Sequence, residues 1–401
     1  MNRQTIALGL GLIVALALVV FQVLRPPPSI GPTILLPAGP RLGPASPDLP
    51  WPRVGSAAVA VGGLGVVATG GPQAALPLAS TTKIMTGLLV LEGHPLALAH
   101  QGPMVPIMPA DVAAYASEKD QGQSVFPVAA GEQLSEYQAL QALLVPSGNN
   151  IAELLASWDA GSVAAFVDKM NARAKTLRMT QTHFADASGF SPNSAGSPGD
   201  LIRLAEAAMR NAVLAEIVDQ AEATLPVAGR VFNVDALVGQ DGIIGIKTGS
   251  SSAAGAVFVF AADVKADGQP ARLFGVVMGL PTLDDAFTAT TRLVDAMTPA
   301  LHYRSILSTD QVVAEYSAPW GDKATVFSEQ DLSWVVYDGM TLHQHTDLKI
   351  VNAPLPSGTS VGSVTLQVGD QQTRIPLRTT SSIFDPDLFW RLTRLGSTGL
   401  F

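Results

Sequence analysis

GIKTGSSSAAGAVFVFAADVKADGQPARLFGVVMG, residues 245–279, reads as three successive strands. Gly245 to Thr248, Ala256 to Ala262 and Arg272 to Gly279 are rich in the β-branched and aromatic side chains that suit a pleated, buried surface. Asp267-Gly268 separates the last two, and that dipeptide supplies the positive φ of a tight hairpin, so the strands are expected to be antiparallel neighbours. Upstream, residues 57–61 (AAVAV) and 65–69 (GVVAT) flank Gly62-Gly63 and read as a second hairpin. Downstream, Asp284 to His302 carries Phe287, Leu293, Val294, Met297 and Leu301 at helical spacing, a helix expected to cover the sheet.

Between the two strand regions the pattern is helical. Ile84, Met85, Leu88, Leu89 and Leu91 mark a helix entered through Ala79-Ser80-Thr81-Thr82-Lys83. Ser135 with Gln138 forms a capping box ahead of Leu140, Leu143 and Leu144, and further helices fit residues 150–157, 162–176 and 199–211. After about residue 309, short β-like runs return at Trp334 to Tyr337, Leu348 to Val351 and Val361 to Val368. The fold class expected is α/β in the α+β sense: an antiparallel sheet flanked by helices with a helical subdomain, then a small all-β domain.

The chain's start differs from the rest. Ile6 to Leu24 is an uncharged run of 19 residues between Arg3 and Arg25, long enough at roughly 1.5 Å per residue to cross one hydrocarbon core, and it lacks the small-residue exit of a cleaved signal peptide. Nine of residues 26–50 are proline, which predicts a stiff spacer; an irregular first layer of the domain is the alternative, with Ile34-Leu35-Leu36 docking. The expected organisation is therefore a transmembrane anchor at 1–25, a Pro-rich linker at 26–50, a main domain at 51–305 and a C-terminal β-rich domain at 306–401.

Composition narrows the chemistry. There is no cysteine, which removes thiol catalysis and thiolate metal sites and conflicts with no oxidising compartment. A net charge of −9 argues against a nucleic-acid partner. His343-x-His345-x-Asp347 projects from one face of a strand but makes a thin metal site, and no metal or organic cofactor is expected. His183 is read as structural. Phe384, Leu388, Phe389, Trp390 and Leu392 either pack on the β domain, the preferred reading, or touch a membrane.

Three short patterns carry nucleophilic chemistry. Ser80 and Lys83 lie one helical turn apart, placing a hydroxyl beside an amine that burial would render a base. Ser147-Gly148-Asn149 adds a second hydroxyl for proton relay and an amide able to grip a peptide; Ser191-Pro192-Asn193 is a rival copy in a Ser/Gly/Pro loop. Lys247-Thr248-Gly249 ends a strand, where glycine permits close backbone approach while lysine and threonine offer donors to a carboxylate. The first two are weak alone, the third is rare by chance, and the three in order are rarer still.

That trio resembles the signature of the penicillin-recognising serine enzymes. The surrounding text, Pro77 to Thr86, Leu143 to Asn150, Thr182 to Gly189 and Gly245 to Gly249, resembles the low-molecular-mass D-alanyl-D-alanine carboxypeptidases over about residues 51–300, and more loosely through the β domain. The resemblance implies a β-lactamase/transpeptidase-like fold and a serine acyl transfer on peptidoglycan stem peptides. Ser80 would be the nucleophile, Lys83 its base and Ser147 a relay; Asn149, Lys247, Thr248, Gly249 and Ser250 would bind substrate, with Ser80 and Ser250 N–H groups as oxyanion hole. β-Lactams would be covalent inhibitors, and the catalytic domain of a single-pass membrane protein would face the extracytoplasmic side. A β-lactamase, a D,D-endopeptidase and a catalytically weak wall-binding scaffold are the alternatives. Two departures stand out: no arginine lies in Leu280 to Ala286 to assist carboxylate binding, leaving Arg292 as a candidate, and the loop 191–198 lacks the stretch common in relatives.

Overall fold

A computed structural model describes residues 3–37 and 39–394, so the last seven residues of the expected 306–401 domain lie outside it. Its helices, in chain order, are α1 (Arg3–Leu24), α2 (Lys83–Gly93), α3 (Pro109–Asp120), α4 (Glu136–Leu144), α5 (Asn149–Ala160), α6 (Val163–Thr176), α7 (Pro198–Ala208), α8 (Ala212–Val218), α9 (Leu283–Met297) and α10 (Leu388–Thr393).

The opening stretch supplies three strands of a five-stranded antiparallel sheet ordered Ile243–Ser251, Gly255–Ala266, Gln269–Leu280, Ser56–Val61, Gly65–Gly70. Both faces are covered, which is why its central strands read as continuous apolar runs rather than alternating ones. Ala58, Ala60, Val257, Val259 and Val276 face the helical subdomain, while Ala57, Val59, Phe258, Phe260 and Val277 face α9 and the C-terminal strands. Helix α2 is the axis of the helical side, with nine of its eleven residues buried from Lys83 to Leu91. A helix apolar all round belongs inside a core, and truncating one of its leucines to alanine removes about 2–5 kcal/mol.

Two elements depart from the expected boundaries for identifiable reasons. Helix α9 stops at Met297, because Pro299 has no amide hydrogen to continue the ladder; Thr298–Ala300 tightens into a 3-10 turn, and Leu301–Leu307 becomes a strand paired with Leu332–Tyr337. The expected 305/306 boundary thus falls inside a strand. The strand expected at 348–351 is instead His343–Leu348, since beyond it the Lys349 carbonyl accepts from the Tyr316 hydroxyl at 2.6 Å and Val351 bridges Ile30. Helix α3 was not legible, having a single buried side chain, Glu118.

The C-terminal part is a six-stranded antiparallel sheet ordered Pro32–Ile34, Val312–Ser317, Lys323–Ser328, Gln371–Thr379, Ser360–Val368, His343–Leu348. Its first strand comes from the proline-rich segment, which therefore does not stand free. Pro32 opens an edge strand, where a missing amide hydrogen is tolerated, and Ile30 and Leu49 are buried in the core. Leu36 of the expected docking trio packs partly buried against the same core, whereas Ile34 and Leu35 stay half exposed at 51% and 52%.

Helix α1 is apolar and uncovered from Ile6 to Leu24. Its end is gripped by α10: Arg391 donates to the Val23 carbonyl at 3.1 Å, Gln22 donates to the Arg394 carbonyl at 3.3 Å, and Arg394 donates to Gln22 and Arg25. Trp390 packs edge-on against Trp320 of the β domain, as expected, whereas Phe384, Leu388 and Phe389 remain exposed.

Candidate active site

Four segments converge where the edge strand Ile243–Ser251 meets the start of α2. Ser80 sits in the 3-10 turn Ala79–Thr82, and Lys83 opens α2 directly behind it. Ser147 and Asn149 occupy the junction of α4 and α5, and Ser188 lies on a loop between α6 and α7. Ala79 and Ser147 both have left-handed backbones, φ 47° and 68°, a strain that non-glycine residues keep only where packing imposes it.

Glycine makes the closest approach possible. A Cβ on Gly249 would meet the Ser80 amide nitrogen at 2.8 Å, so only a bare backbone lets the strand edge lie against the serine turn. On the other side, a Cβ on Gly189, at φ +80°, would meet the Ala79 carbonyl at 1.7 Å.

Lys83 is fully buried and donates three hydrogen bonds from Nζ: to Ser80 Oγ at 2.9 Å, to Asn149 Oδ1 at 2.6 Å and to the Ser188 carbonyl at 2.9 Å. An ammonium has three hydrogens and all three are used. A neutral amine has two, plus a lone pair. Two of the partners are carbonyl oxygens that can only accept, so the lone pair falls to the one partner that can give up a proton, the Ser80 hydroxyl. Burial, followed by the Lys247 ammonium, pushes the Lys83 pKa well below the usual lysine range against the pull of Asp186 and Glu118. The pocket therefore favours the neutral form that a base requires.

Lys247 and Thr248 are buried at the end of the edge strand, and Lys247 Nζ donates to the Thr248 carbonyl at 3.2 Å. Burial brings Lys247 down to about 8, with Asp235 opposing the shift. Ser147 Oγ is buried and makes no hydrogen bond among the described residues, leaving it both a donor and an acceptor for a bound ligand. Ser250 is exposed on the same strand, paired with Ala256.

The sequence reading named the residues of the trio but not what holds them. Asp186 accepts from Ser188 Oγ, the Ser191 amide and Ser194 Oγ, and so shapes the loop that presents the Ser188 carbonyl to Lys83. The rival Ser191-Pro192-Asn193 is spent inside that loop. Glu118 is a further surprise: both carboxylate oxygens are buried without a partner among the described residues, and burial, reinforced by Glu153, raises its pKa to about 7. Only an acid in an apolar helical stretch could have signalled it, and α3 has no such stretch.

Other candidates lie elsewhere. Arg292 is exposed on α9, whose apolar face packs on the side of the sheet opposite to α2, so it is not brought to the pocket. The His183 side chain is exposed; its backbone pairs with Ala195 at 2.8 and 2.9 Å. His343, His345 and Asp347 share an exposed face, and no group of side chains fit to hold a metal ion occurs among the described residues.

The family model described as D-alanyl-D-alanine carboxypeptidase, peptidase family S11, matches residues 63–282, more than half of the chain and the whole of this pocket. The chain belongs to that family. Within it, the chain is similar to D-alanyl-D-alanine carboxypeptidase DacD of Escherichia coli, 27% identical over 344 residues covering 79% of this chain and 82% of the relative. It also resembles a D-alanyl-D-alanine endopeptidase of Pseudomonas aeruginosa, 32% identical over 146 residues, where the match spans 36% of this chain and only 44% of the relative. DacB2 of Mycobacterium tuberculosis is 35% identical over 193 residues, 46% of this chain and 62% of that one. Among solved structures, DacD of Francisella tularensis superposes with a TM-score of 0.62 at 22% identity over 86% of this chain and 96% of that one. Penicillin binding protein 5 of Haemophilus influenzae gives 0.63 at 20%, covering 86% and 100%. At that identity the likeness to family structures speaks for the fold.

Proposed function

We propose that this S11 peptidase is a membrane-anchored serine D,D-carboxypeptidase that removes the terminal D-Ala from peptidoglycan stem peptides. The observation that carries the reading is the Lys83 triangle: a buried, depressed amine whose only proton-donating partner is Ser80. Ser80 Oγ attacks the carbonyl of the penultimate D-Ala while its proton passes to Lys83 Nζ. The oxyanion is met by the N–H groups of Ser80 and Ser250. The C–N bond breaks, the terminal D-Ala amine leaves with a proton returned through Ser147 or Lys247, and water then cleaves the ester to restore Ser80 and release the shortened peptide. Asn149 holds the peptide amide, and Lys247 with Thr248 binds the terminal carboxylate, with no arginine in Leu280 to Ala286 to share that task. β-Lactams present the same carbonyl and carboxylate and acylate Ser80.

Helix α1 is the anchor, since its apolar side chains have no cover in the protein and match a bilayer in length. The body lies on the extracytoplasmic side, where stem peptides are. An endopeptidase reading keeps some support, because relatives from Pseudomonas aeruginosa and Escherichia coli carry that name.

The test uses the full chain in detergent. Intact mass after benzylpenicillin should show one adduct, absent in Ser80→Ala, and a D-Ala-D-Ala pentapeptide should release free D-alanine. No adduct would refute the serine mechanism; cleavage only of cross-linked dimers would favour the endopeptidase, and rapid penicillin turnover a β-lactamase.

A further inference from the structure

The role given to Lys83 depends on which end of the Asn149 amide faces it. With Oδ1 turned to Nζ, a neutral Lys83 keeps its lone pair for Ser80. Were the amide reversed, its NH2 would donate into that lone pair and the serine proton would have no acceptor. An ammonium could face only the oxygen. A neutral Lys83 has both N–H groups and a lone pair and could face either end, so the working form of the base does not itself decide between the two. The decision is made on the far side of the amide.

There, Asn149 Nδ2 donates to Gln123 Oε1 at 2.7 Å. Gln123 has its own orientation set in turn: its Nε2 donates to Gln121 Oε1 at 3.1 Å, and Gln121 Nε2 donates to Ser117 Oγ at 3.3 Å. Three side-chain amides thus run head to tail from α3 to the base, each donating in the same sense, and reversing one would place donor against donor at its neighbour. The backbone holds the chain in place. The Gln123 amide donates to the Glu118 carbonyl at 3.0 Å, the Asn149 amide to the Ser124 carbonyl at 2.8 Å, and Asn150 pins Phe126 through both ends of its side chain at 2.8 and 2.9 Å.

We propose that Gln123 is a positioning residue for catalysis: by accepting from Asn149 Nδ2 it locks the amide with its oxygen on Lys83 and thereby directs the Lys83 lone pair at Ser80. Because an amide nitrogen carries two hydrogens, one remains for the carbonyl of a bound peptide, so Gln123 orients Asn149 without consuming its substrate contact. The proposal rests on the reading of Lys83 as the base of Ser80.

The experiment compares acylation of the full chain by a fluorescent penicillin in wild type, Gln123→Leu, Gln123→Lys and Gln123→Glu, separating the saturable binding constant from the limiting acylation rate across pH. Loss of a single orienting hydrogen bond is expected to lower the limiting rate about tenfold in the leucine variant, with penicillin binding and melting temperature near wild type. Lysine, a donor only, should be slower still. Glutamate restores the acceptor and should recover most of the rate, with its pH profile moved upward because a carboxylate near Lys83 favours the ammonium. An unchanged rate in the leucine variant, or an equal loss in leucine and glutamate variants, would overturn the proposal. Failure of the wild type itself to acylate would fell the functional reading instead, and this one with it.

Discussion

Lys83 has no spare hydrogen-bonding capacity, and its chemistry follows from that saturation together with burial. The two lysines of the pocket have opposite needs. In the proposed mechanism Lys83 works as a neutral amine, so the acylation rate should fall as acid protonates it. Lys247 works as an ammonium against a carboxylate, and its pKa of about 8 means that charge is lost as pH rises through that value. Each pH unit above it removes about nine tenths of the remaining ammonium, so KM for a D-Ala-D-Ala peptide should climb about tenfold per unit there, measured by D-alanine release. Gly249 gives a sharper test. Gly249→Ala places a methyl 2.8 Å from the Ser80 nitrogen, and displacement of the nucleophile by a fraction of an ångström to an ångström should cost about 10²-fold in penicillin acylation. The three motifs were legible at this scale because each is local in the chain. Asp186, Glu118 and Gln123 were not: Asp186 matters through a loop whose Ser188 carbonyl meets Lys83 105 residues away, Glu118 through where α3 packs, and Gln123 through Asn149, 26 residues on.

At the scale of elements, α3 is the instructive case. Its sequence, PADVAAYASEKD, has no apolar stripe to announce a helix, yet Pro109 at the first turn and Asp111 closing on the Met108 amide at 2.7 Å give it a sound start. What it buries is an acid. The folded pKa of Glu118 is about 7 against an ordinary 4.5, so the folded state holds the proton more tightly, and stability present below 4.5 is lost as pH rises through about 7. Glu118→Gln removes that dependence. The variant should melt near wild type at pH 5 and above it at pH 8, by on the order of 2–4 °C in thermal unfolding; no difference between the two pH values would show that the carboxyl is solvated after all. Periodicity did reveal α2, α4 and α9, whose apolar faces are their reason for folding. The ends of elements were harder to read, as Pro299 shows: a Pro inside a helical pattern is also an instruction to stop.

For the whole molecule, the feature that matters is a core shared between the parts. Phe258, Phe260 and α9 pack in one cluster with Tyr316, Trp334 and Tyr337 of the C-terminal strands, and Ile30 and Leu49 of the proline-rich segment join them. Hydrogen bonds cross as well, Asp370 to the Leu64 carbonyl at 3.1 Å and Tyr303 to the Asp267 carboxylate at 3.1 Å. Calorimetry should therefore show a single unfolding transition, and a chain ending at residue 305, cut within the Leu301–Leu307 strand, should lose much of its stability rather than persist as a free domain. Two separate transitions would refute this. The amino-acid sequence by itself determined the main strand and helix classes, the apolar first helix and the Ser80–Lys83, Ser147–Asn149 and Lys247–Gly249 motifs, because those depend on neighbours within a few residues. Tertiary structure alone decided that the proline-rich stretch supplies an edge of a sheet, that Arg292 lies on the wrong face, and that a glutamine just beyond an unannounced helix reaches the asparagine beside Lys83. Such outcomes depend on which groups meet across hundreds of residues, and only a finished packing of faces and exhaustion of hydrogen-bond partners can set them.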